Sequence, residues 1–137
     1  MFDLWSTIYD LSLVAQFPFM TAEEMKARTK RFAINVAKLI QSLEPNQINN
    51  AYCGQLIRCS SSVGANYRAA QRAKSTADFI NKLKIVEEEA DESLYFLELL
   101  LEFNPAQSIT IASLISEGEE VLRIIVASIT TIRQNKL

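Results

Sequence analysis

The chain has 137 residues and a formal net charge of −2; 49% of its residues are hydrophobic and 22% are charged. With only three glycines and three prolines, it is too apolar for a disordered chain and too poor in turn-forming residues for a sandwich or barrel of short strands. These numbers favour one domain built from long helices.

The small net charge conceals a strong asymmetry along the chain. Residues 21–84 carry eleven lysines and arginines against four acidic residues, whereas residues 85–137 carry three basic residues against ten acidic ones. In an antiparallel bundle this distribution favours ion pairs between neighbouring helices. A basic face that binds phosphate is the alternative interpretation.

The sequence offers few groups for catalysis or metal binding. It contains no histidine, and Cys53 and Cys59 are six residues apart, which on a helix separates the thiols by about 240°. They therefore form neither a local disulfide nor a close metal pair. There is also no glycine-rich phosphate loop and no nucleophile elbow. We predict a protein that is not an enzyme, holds no cofactor or metal, and keeps two free thiols in a reducing cytoplasm.

The first twenty residues are rich in apolar side chains but contain Asp3 and Asp10, and they lack the basic start of an export signal. No stretch of the chain reaches the roughly 18 to 20 consecutive apolar residues of a membrane span. We predict an apolar arm over residues 1–20 that packs on its own or a neighbouring bundle, a bundle domain over residues 21–137, a cytoplasmic location and no membrane contact.

The first predicted helix begins at Thr21, whose hydroxyl is placed to form a capping box with Glu24, and it ends before Pro45. Apolar residues then recur at steps of three and four, as one face of a helix requires. They are Met25, Phe32, Val36, Leu39, Ile40 and Leu43.

The second predicted helix runs from about Gln47 to Lys74. Its expected buried side consists of Ile48, Tyr52, Leu56, Val63, Tyr67 and Ala70. Gly54 and Gly64 each cost roughly 1 kcal/mol relative to alanine within a helix. We therefore expect another backbone to pack closely against this helix at both glycines.

The third predicted helix is capped by Ser75 or Thr76 and carries a near-heptad apolar stripe that ends before Pro105. The fourth spans about Ser108 to Asn135, with isoleucine, leucine and valine over more of its surface than one bundle core uses. We expect the surplus to be covered by residues 1–20 or by another subunit. The sequence thus predicts an all-α, antiparallel up-down four-helix bundle with an apolar N-terminal arm.

The turn between the second and third helices fixes which of their residues face each other. Residues whose numbers sum to about 150 are opposite, which pairs Arg58 with Glu92, and with Glu89 one turn away. The same rule pairs Arg72 with Asp78. We predict that these five residues form a structural ion-pair network, because an arginine near a core needs a carboxylate partner.

Several segments of these two helices resemble one known family. They are QLIR (55–58), SVGANYRAA (62–70), FINKL (79–83), EADE (89–92) and YFLE (95–98). Together they resemble the bacterial four-helix bundle proteins of the ribosomal-RNA intervening-sequence type, over residues 22 to about 134. The resemblance implies an up-down bundle, commonly a homopentamer, with no known enzymatic activity.

Together with the residues, the resemblance suggests two possible functions. The first is a non-enzymatic oligomeric scaffold or adaptor, with a pentamer as the expected assembly. The second is a nucleic-acid-binding accessory protein, similar to relatives that work with a reverse transcriptase and bind nucleic acid through strongly basic surfaces. That alternative would use Lys26, Arg28, Lys30 and Arg31, although the acidic character of this chain departs from those relatives.

Overall fold

A computed structural model describes residues 20–135, and within that range the chain forms four α-helices. In chain order they are α1 (Ala22–Ser42), α2 (Gln47–Ala70), α3 (Thr76–Phe103) and α4 (Ser108–Gln134), with a short 3-10 helix at Pro105–Gln107. The predicted all-α bundle is confirmed. The expected arm lies outside the described residues, apart from Met20.

Side-chain caps fix where the helices begin. The Thr21 hydroxyl accepts a hydrogen bond from the Glu24 amide at 3.1 Å, and the Glu24 carboxylate accepts one from the Thr21 amide at 3.1 Å. This is the predicted capping box, which satisfies two amides that a helix start leaves free. Asn46 and Ser75 cap α2 and α3 through their side-chain oxygens.

The end of α2 differs from the prediction. The helix stops at Ala70 rather than near Lys74, because the amides of Arg72 and Ala73 bond to carbonyls three residues back instead of four, and the Gln71 amide is shared between the two patterns. This tightening is typical of the last turn of a helix. The connection to α3 is consequently a compact turn.

Consecutive helices are joined by short connections and lie side by side, and α1 also packs against α4, which closes the bundle. The α2–α3 pair is packed most extensively and the α1–α4 pair least. α1 and α3 therefore occupy diagonal corners, and their outward faces point in opposite directions.

The apolar stripes meet in two clusters of buried side chains stacked along the bundle. The cluster nearer the start of α1 includes Met25, Val63, Tyr67, Phe79, Leu83, Val86, Ile125 and Ile129. The other includes Phe32, Val36, Leu39, Leu56, Leu97, Leu100 and Ile111. Burial of each large side chain is worth ~1.5 to 3 kcal/mol, so these two clusters stabilise the bundle on which the surface residues are placed.

The two glycines of α2 differ in their surroundings. A Cβ atom on Gly64 would lie 3.2 Å from Thr29 Oγ1 and 3.5 Å from the Thr29 backbone, so a close approach exists there, and it involves α1. The position of a Cβ atom on Gly54 has nothing within 4 Å. The expectation of close packing is therefore wrong at Gly54.

α4 buries most of its wide apolar sector. Val121, Ile124 and Ile125 are all buried, and among the described large apolar residues of this helix only Ile109 and Val126 are exposed. The expectation that residues 1–20 or another subunit cover the apolar surface of α4 stays a prediction. Over residues 20–135, no helix combines the length and the apolar character needed to cross a membrane.

Candidate functional site

The predicted partners of Arg58 lie beside it on the surface between α2 and α3. Its guanidinium is 2.5 Å from a Glu92 carboxylate oxygen and 3.4 Å from one of Glu89. The hydrogen bond to Glu92 raises the pKa of Arg58 above its ordinary value. The Arg58 side chain is 50% exposed, however, so its guanidinium is open to water rather than held in the core.

The expected pairing of Arg72 with Asp78 is wrong. Asp78 accepts hydrogen bonds from the Lys82 ammonium at 2.7 Å and from the Lys74 amide at 3.0 Å. These two donors hold the pKa of Asp78 below its usual value. Asp78 lies in the first turn of α3, where donors on its own helix and in the adjoining turn are nearer than α2. Among the described residues, no carboxylate lies within 4.0 Å of Arg72.

The four basic residues considered for nucleic-acid binding do not form one exposed basic surface. The Arg28 guanidinium donates two hydrogen bonds to Glu117 of α4, at 2.7 and 2.8 Å, and lies 2.9 Å from Glu120. Its side chain is 12% exposed. Lys26 pairs with Glu23 at 3.0 Å. Within the described range, Lys30 and Arg31 are exposed and have no ionic partner.

Arg28 thus links α1 to α4 through ion pairs. Its hydrogen bonds to Glu117 act against desolvation, and they raise the pKa of Arg28 above its ordinary value. The charge of Arg28 is thus already met by two carboxylates, and little of its side chain is open to a phosphate. The interaction was not predicted from the sequence, where only the charge asymmetry between the two halves pointed to it.

A buried amide pair joins the other end of the bundle. The Asn49 side chain donates to the Asn104 oxygen at 3.0 Å, and the Asn104 side chain donates to the Asn49 oxygen at 2.8 Å. The second hydrogens of the two amides go to the carbonyls of Glu44 and Leu100. The start of α2 is therefore fixed to the end of α3, and both buried side chains are hydrogen-bonded at oxygen and nitrogen.

Next to this pair, aromatic side chains of α2 and α3 form a surface that we call the aromatic patch: Tyr52, Tyr95, Phe96 and Phe103. The Tyr52 ring centre is 6.3 Å from that of Phe96 and 6.1 Å from that of Phe103, and Tyr95 packs edge-on against Phe96 at 5.4 Å. Tyr95 is 57% exposed and Phe103 is 50% exposed. Exposed aromatic rings held in place by one another suit contact with another molecule.

A groove of about 550 Å³ lies between α1 and α4 at the same end of the bundle. Its lining consists of Asn35, Lys38, Leu39, Ser42, Ile109, Thr110, Ser113 and Leu114. Among the described lining residues, Lys38 carries the single ionisable side chain, and no described carboxylate pairs with it.

Both thiols lie in the core. Cys53 and Cys59 are buried and unpaired with each other, and burial raises the pKa of each thiol above its ordinary value. A raised pKa keeps a thiol protonated at neutral pH and unreactive. In the part of the chain that the structure describes, no group of three or more cysteine, aspartate or glutamate side chains is placed to hold a metal ion.

Comparison with known proteins agrees with this architecture. The sequence model of a family described as 23S rRNA-intervening sequence proteins matches residues 22–127, which include the aromatic patch and every ion pair described above. A crystal structure of a protein of unknown function from the S23 ribosomal protein family, from Bacteroides thetaiotaomicron, is similar to this chain, with a TM-score of 0.67 and 32% sequence identity. That similarity covers 77% of this chain and 97% of the other. No curated protein matches the sequence.

Proposed function

This chain belongs to the 23S rRNA-intervening sequence protein family, and we propose that it is a non-enzymatic oligomeric scaffold or adaptor that binds a protein partner through its aromatic patch. The aromatic patch is the observation that carries the proposal. Tyr95 and Phe103 each leave half or more of their surface in water, and isolated soluble domains rarely expose neighbouring large rings without using them for binding.

The aromatic patch is also held rigid before any partner binds. Tyr52 packs against two of the other three rings, and the Asn49–Asn104 amide pair fixes the two helix ends that carry the patch. A surface that is already ordered loses less side-chain entropy on binding. Aromatic residues in such positions are typical centres of binding energy at protein interfaces.

The described charged groups that join the helices support a non-enzymatic role. Arg28 and Arg58 both have carboxylate partners on a neighbouring helix, so their charges stabilise the bundle. The groove between α1 and α4 offers Lys38 without an acid beside it. The chemistry of these side chains is that of a structural support.

Light scattering tests the oligomeric part of the proposal. The chain has a mass of 15.5 kDa, so a pentamer has five times that mass, about 78 kDa. We expect a mass of several times 15.5 kDa, with the pentamer as the first choice, over a tenfold range of micromolar concentrations. A chain that stays monomeric throughout would contradict the oligomeric scaffold.

Affinity capture from native cells, with and without nuclease, tests the adaptor part. The variant Tyr52→Ser/Phe103→Ser disrupts the aromatic patch, and Ile85→Ser/Val126→Ser is a matched control because it removes two exposed apolar residues elsewhere. We expect wild type and control to recover the same proteins with nuclease present, and the patch variant to lose them. Equal recovery by all three chains would contradict the assignment of the patch.

The alternative of a nucleic-acid-binding accessory protein now depends on Lys30 and Arg31, since Arg28 and Lys26 have carboxylate partners. The same capture experiment separates the two functions. Recovery that disappears with nuclease, and with Lys30→Gln/Arg31→Gln but not with the patch variant, would favour the alternative.

A further inference from the structure

Cations without an ionic partner cluster on the outward face of α1. We call Lys30, Arg31, Ile34 and Lys38 the basic face. Its three charged side chains are exposed, and among residues 20–135 none has a carboxylate within 4.0 Å. Ile34, 43% exposed, lies one turn after Lys30 and one turn before Lys38. The sequence from Met25 to Leu43 contains no acidic residue, so beyond its first turn α1 carries no acid to neutralise this face.

The outward face of α3 has the same layout with the opposite sign. We call Glu88, Asp91, Tyr95, Glu98 and Glu102 the acidic face. Its four carboxylates are exposed, and no described lysine or arginine lies within 4.0 Å of any of them. Tyr95 lies about one turn from Asp91 on one side and from Glu98 on the other. From Ile85 to Phe103 there is no basic residue.

The two faces cannot meet within one chain. α1 and α3 are diagonal in the bundle, so the basic face and the acidic face point away from each other. A dimer with a two-fold axis cannot satisfy both faces either. If the basic face of one copy contacts the acidic face of the other, the remaining basic and acidic faces lie on the far sides of the pair and stay unpaired. Complementary faces on opposite sides of one molecule produce head-to-tail contacts, which close into a ring when the rotation permits.

We propose that the basic face of one copy packs on the acidic face of the next copy, with Ile34 against Tyr95 and the charges around them paired. Tyr95 then belongs to the contact between copies, and Tyr52, Phe96 and Phe103 are the part of the aromatic patch left for the protein partner. The inference rests on the oligomeric part of the proposed function and assigns its interface. Both faces have one exposed apolar residue flanked by like charges, and the two sets of charges are opposite in sign. Like charges repel on each isolated face, and association replaces that repulsion with attraction.

Charge reversal tests this interface directly. Lys30→Glu/Lys38→Glu makes both faces acidic, and Asp91→Lys/Glu98→Lys/Glu102→Lys makes both faces basic. We expect each variant to be monomeric, at 15.5 kDa, at concentrations where the wild type is an oligomer. The fivefold variant, which carries all these changes, exchanges the signs of the two faces and should regain the wild-type mass.

The control is Arg68→Glu/Arg133→Glu, which changes the net charge by the same amount as reversal of the basic face, on exposed residues of α2 and α4. It should keep the wild-type mass. A mixture of the two reversed variants should form assemblies that contain both chains. Because every substituted side chain is exposed, circular dichroism should show unchanged helix content; if a reversed variant loses helix, the corresponding glutamine variant takes its place.

The outcomes separate this inference from the proposed function. A monomeric wild type would contradict the oligomeric scaffold itself. An oligomeric wild type whose mass survives reversal of either face, or a fivefold variant that stays monomeric while folded, would overturn the interface and leave the scaffold standing. Loss of the oligomer in both single-face variants with recovery in the fivefold variant supports the interface.

Discussion

Two arginines of this bundle make nearly the same contacts in different surroundings. Arg28 joins α1 to α4, Arg58 joins α2 to α3, and each meets two glutamates that are three residues apart on the partner helix. The Arg28 side chain is 12% exposed and the Arg58 side chain is 50% exposed. The glutamates are exposed to similar extents at the two sites, so the main differences are the burial of the guanidinium and the second hydrogen bond from Arg28 to Glu117.

Ion-pair distances alone do not fix the contribution of a pair to stability. Water screens an exposed pair, and its charges are well solvated when the pair breaks. The Arg28 guanidinium is itself largely removed from water and holds Glu117 through two hydrogen bonds, so its attraction to the carboxylates is screened less. Arg28 should therefore stabilise the bundle much more than Arg58 does.

The largest effect is expected for Arg28→Met. It should lower the free energy of unfolding by roughly 2 to 3 kcal/mol, between the values for exposed and fully buried pairs, because Glu117 and Glu120 are then left without their cation. Urea unfolding at fixed protein concentration measures it. Arg68→Met, at an exposed position of α2, is the control and should change stability by under about 0.5 kcal/mol. Equal effects of the two substitutions would contradict the account.

The Asn49–Asn104 pair tests whether burial has the same consequence without charge. Asn49→Ala should cost about 1 to 2 kcal/mol, since the buried Asn104 amide loses its partner. Asn50→Ala replaces the exposed neighbour and should be nearly neutral. Thermal unfolding of both variants at one concentration gives the comparison, and a neutral Asn49→Ala would show that the pair contributes nothing.

The two glycines of α2 extend the comparison to the backbone. Gly54→Ala should stabilise the protein by up to about 1 kcal/mol, because the position is open and alanine reduces the entropy of the unfolded chain. Gly64→Ala should give no such gain, since its Cβ atom would press on Thr29. A stabilising Gly64→Ala and a destabilising Gly54→Ala would reverse the assignment of open and crowded positions.

The smallest effect is expected at Asp78, whose side chain is partly exposed. Lys82 and the Lys74 amide lower the pKa of Asp78 in the folded state, so its contribution is complete above the ordinary pKa of 3.8. That contribution is lost as the pH falls through the lower folded-state pKa. Asp78→Asn should therefore be less stable than wild type at pH 7, and the difference should disappear in acid. A difference that persists unchanged at low pH would assign the effect to something other than this charge.

The sequence was sufficient to place Arg58 but not Arg28, for a physical reason. A compact turn joins α2 to α3, so the register of the two helices follows from counting outward from that turn. Arg28 and Glu117 are 89 residues apart and lie on helices that no turn connects, so their register depends on the packing of the whole core. Burial was not predictable in either case, because the charges alone do not show which side of a helix faces its neighbour.

The errors near the helix ends have a local origin. Counting across the turn paired Arg72 with Asp78, but in the first turn of a helix the nearest donors come from the chain itself, here Lys74 and Lys82. Ile48 was assigned to the core of α2 for its apolar side chain, whereas the structure exposes it and buries Asn49. An asparagine becomes the better core residue there because Asn104 completes its hydrogen bonds.

Parallel double-mutant cycles at the two arginines test whether Arg28 stabilises the bundle more than Arg58 does. One cycle combines Arg28→Met with Glu117→Gln, and the other combines Arg58→Met with Glu92→Gln, all in the same chain and at one protein concentration. We predict a clearly larger coupling free energy for Arg28 with Glu117 than for Arg58 with Glu92, and a fall with added salt mainly in the second. Equal couplings with equal salt dependence would contradict the account, because burial would then make no difference between the two sites.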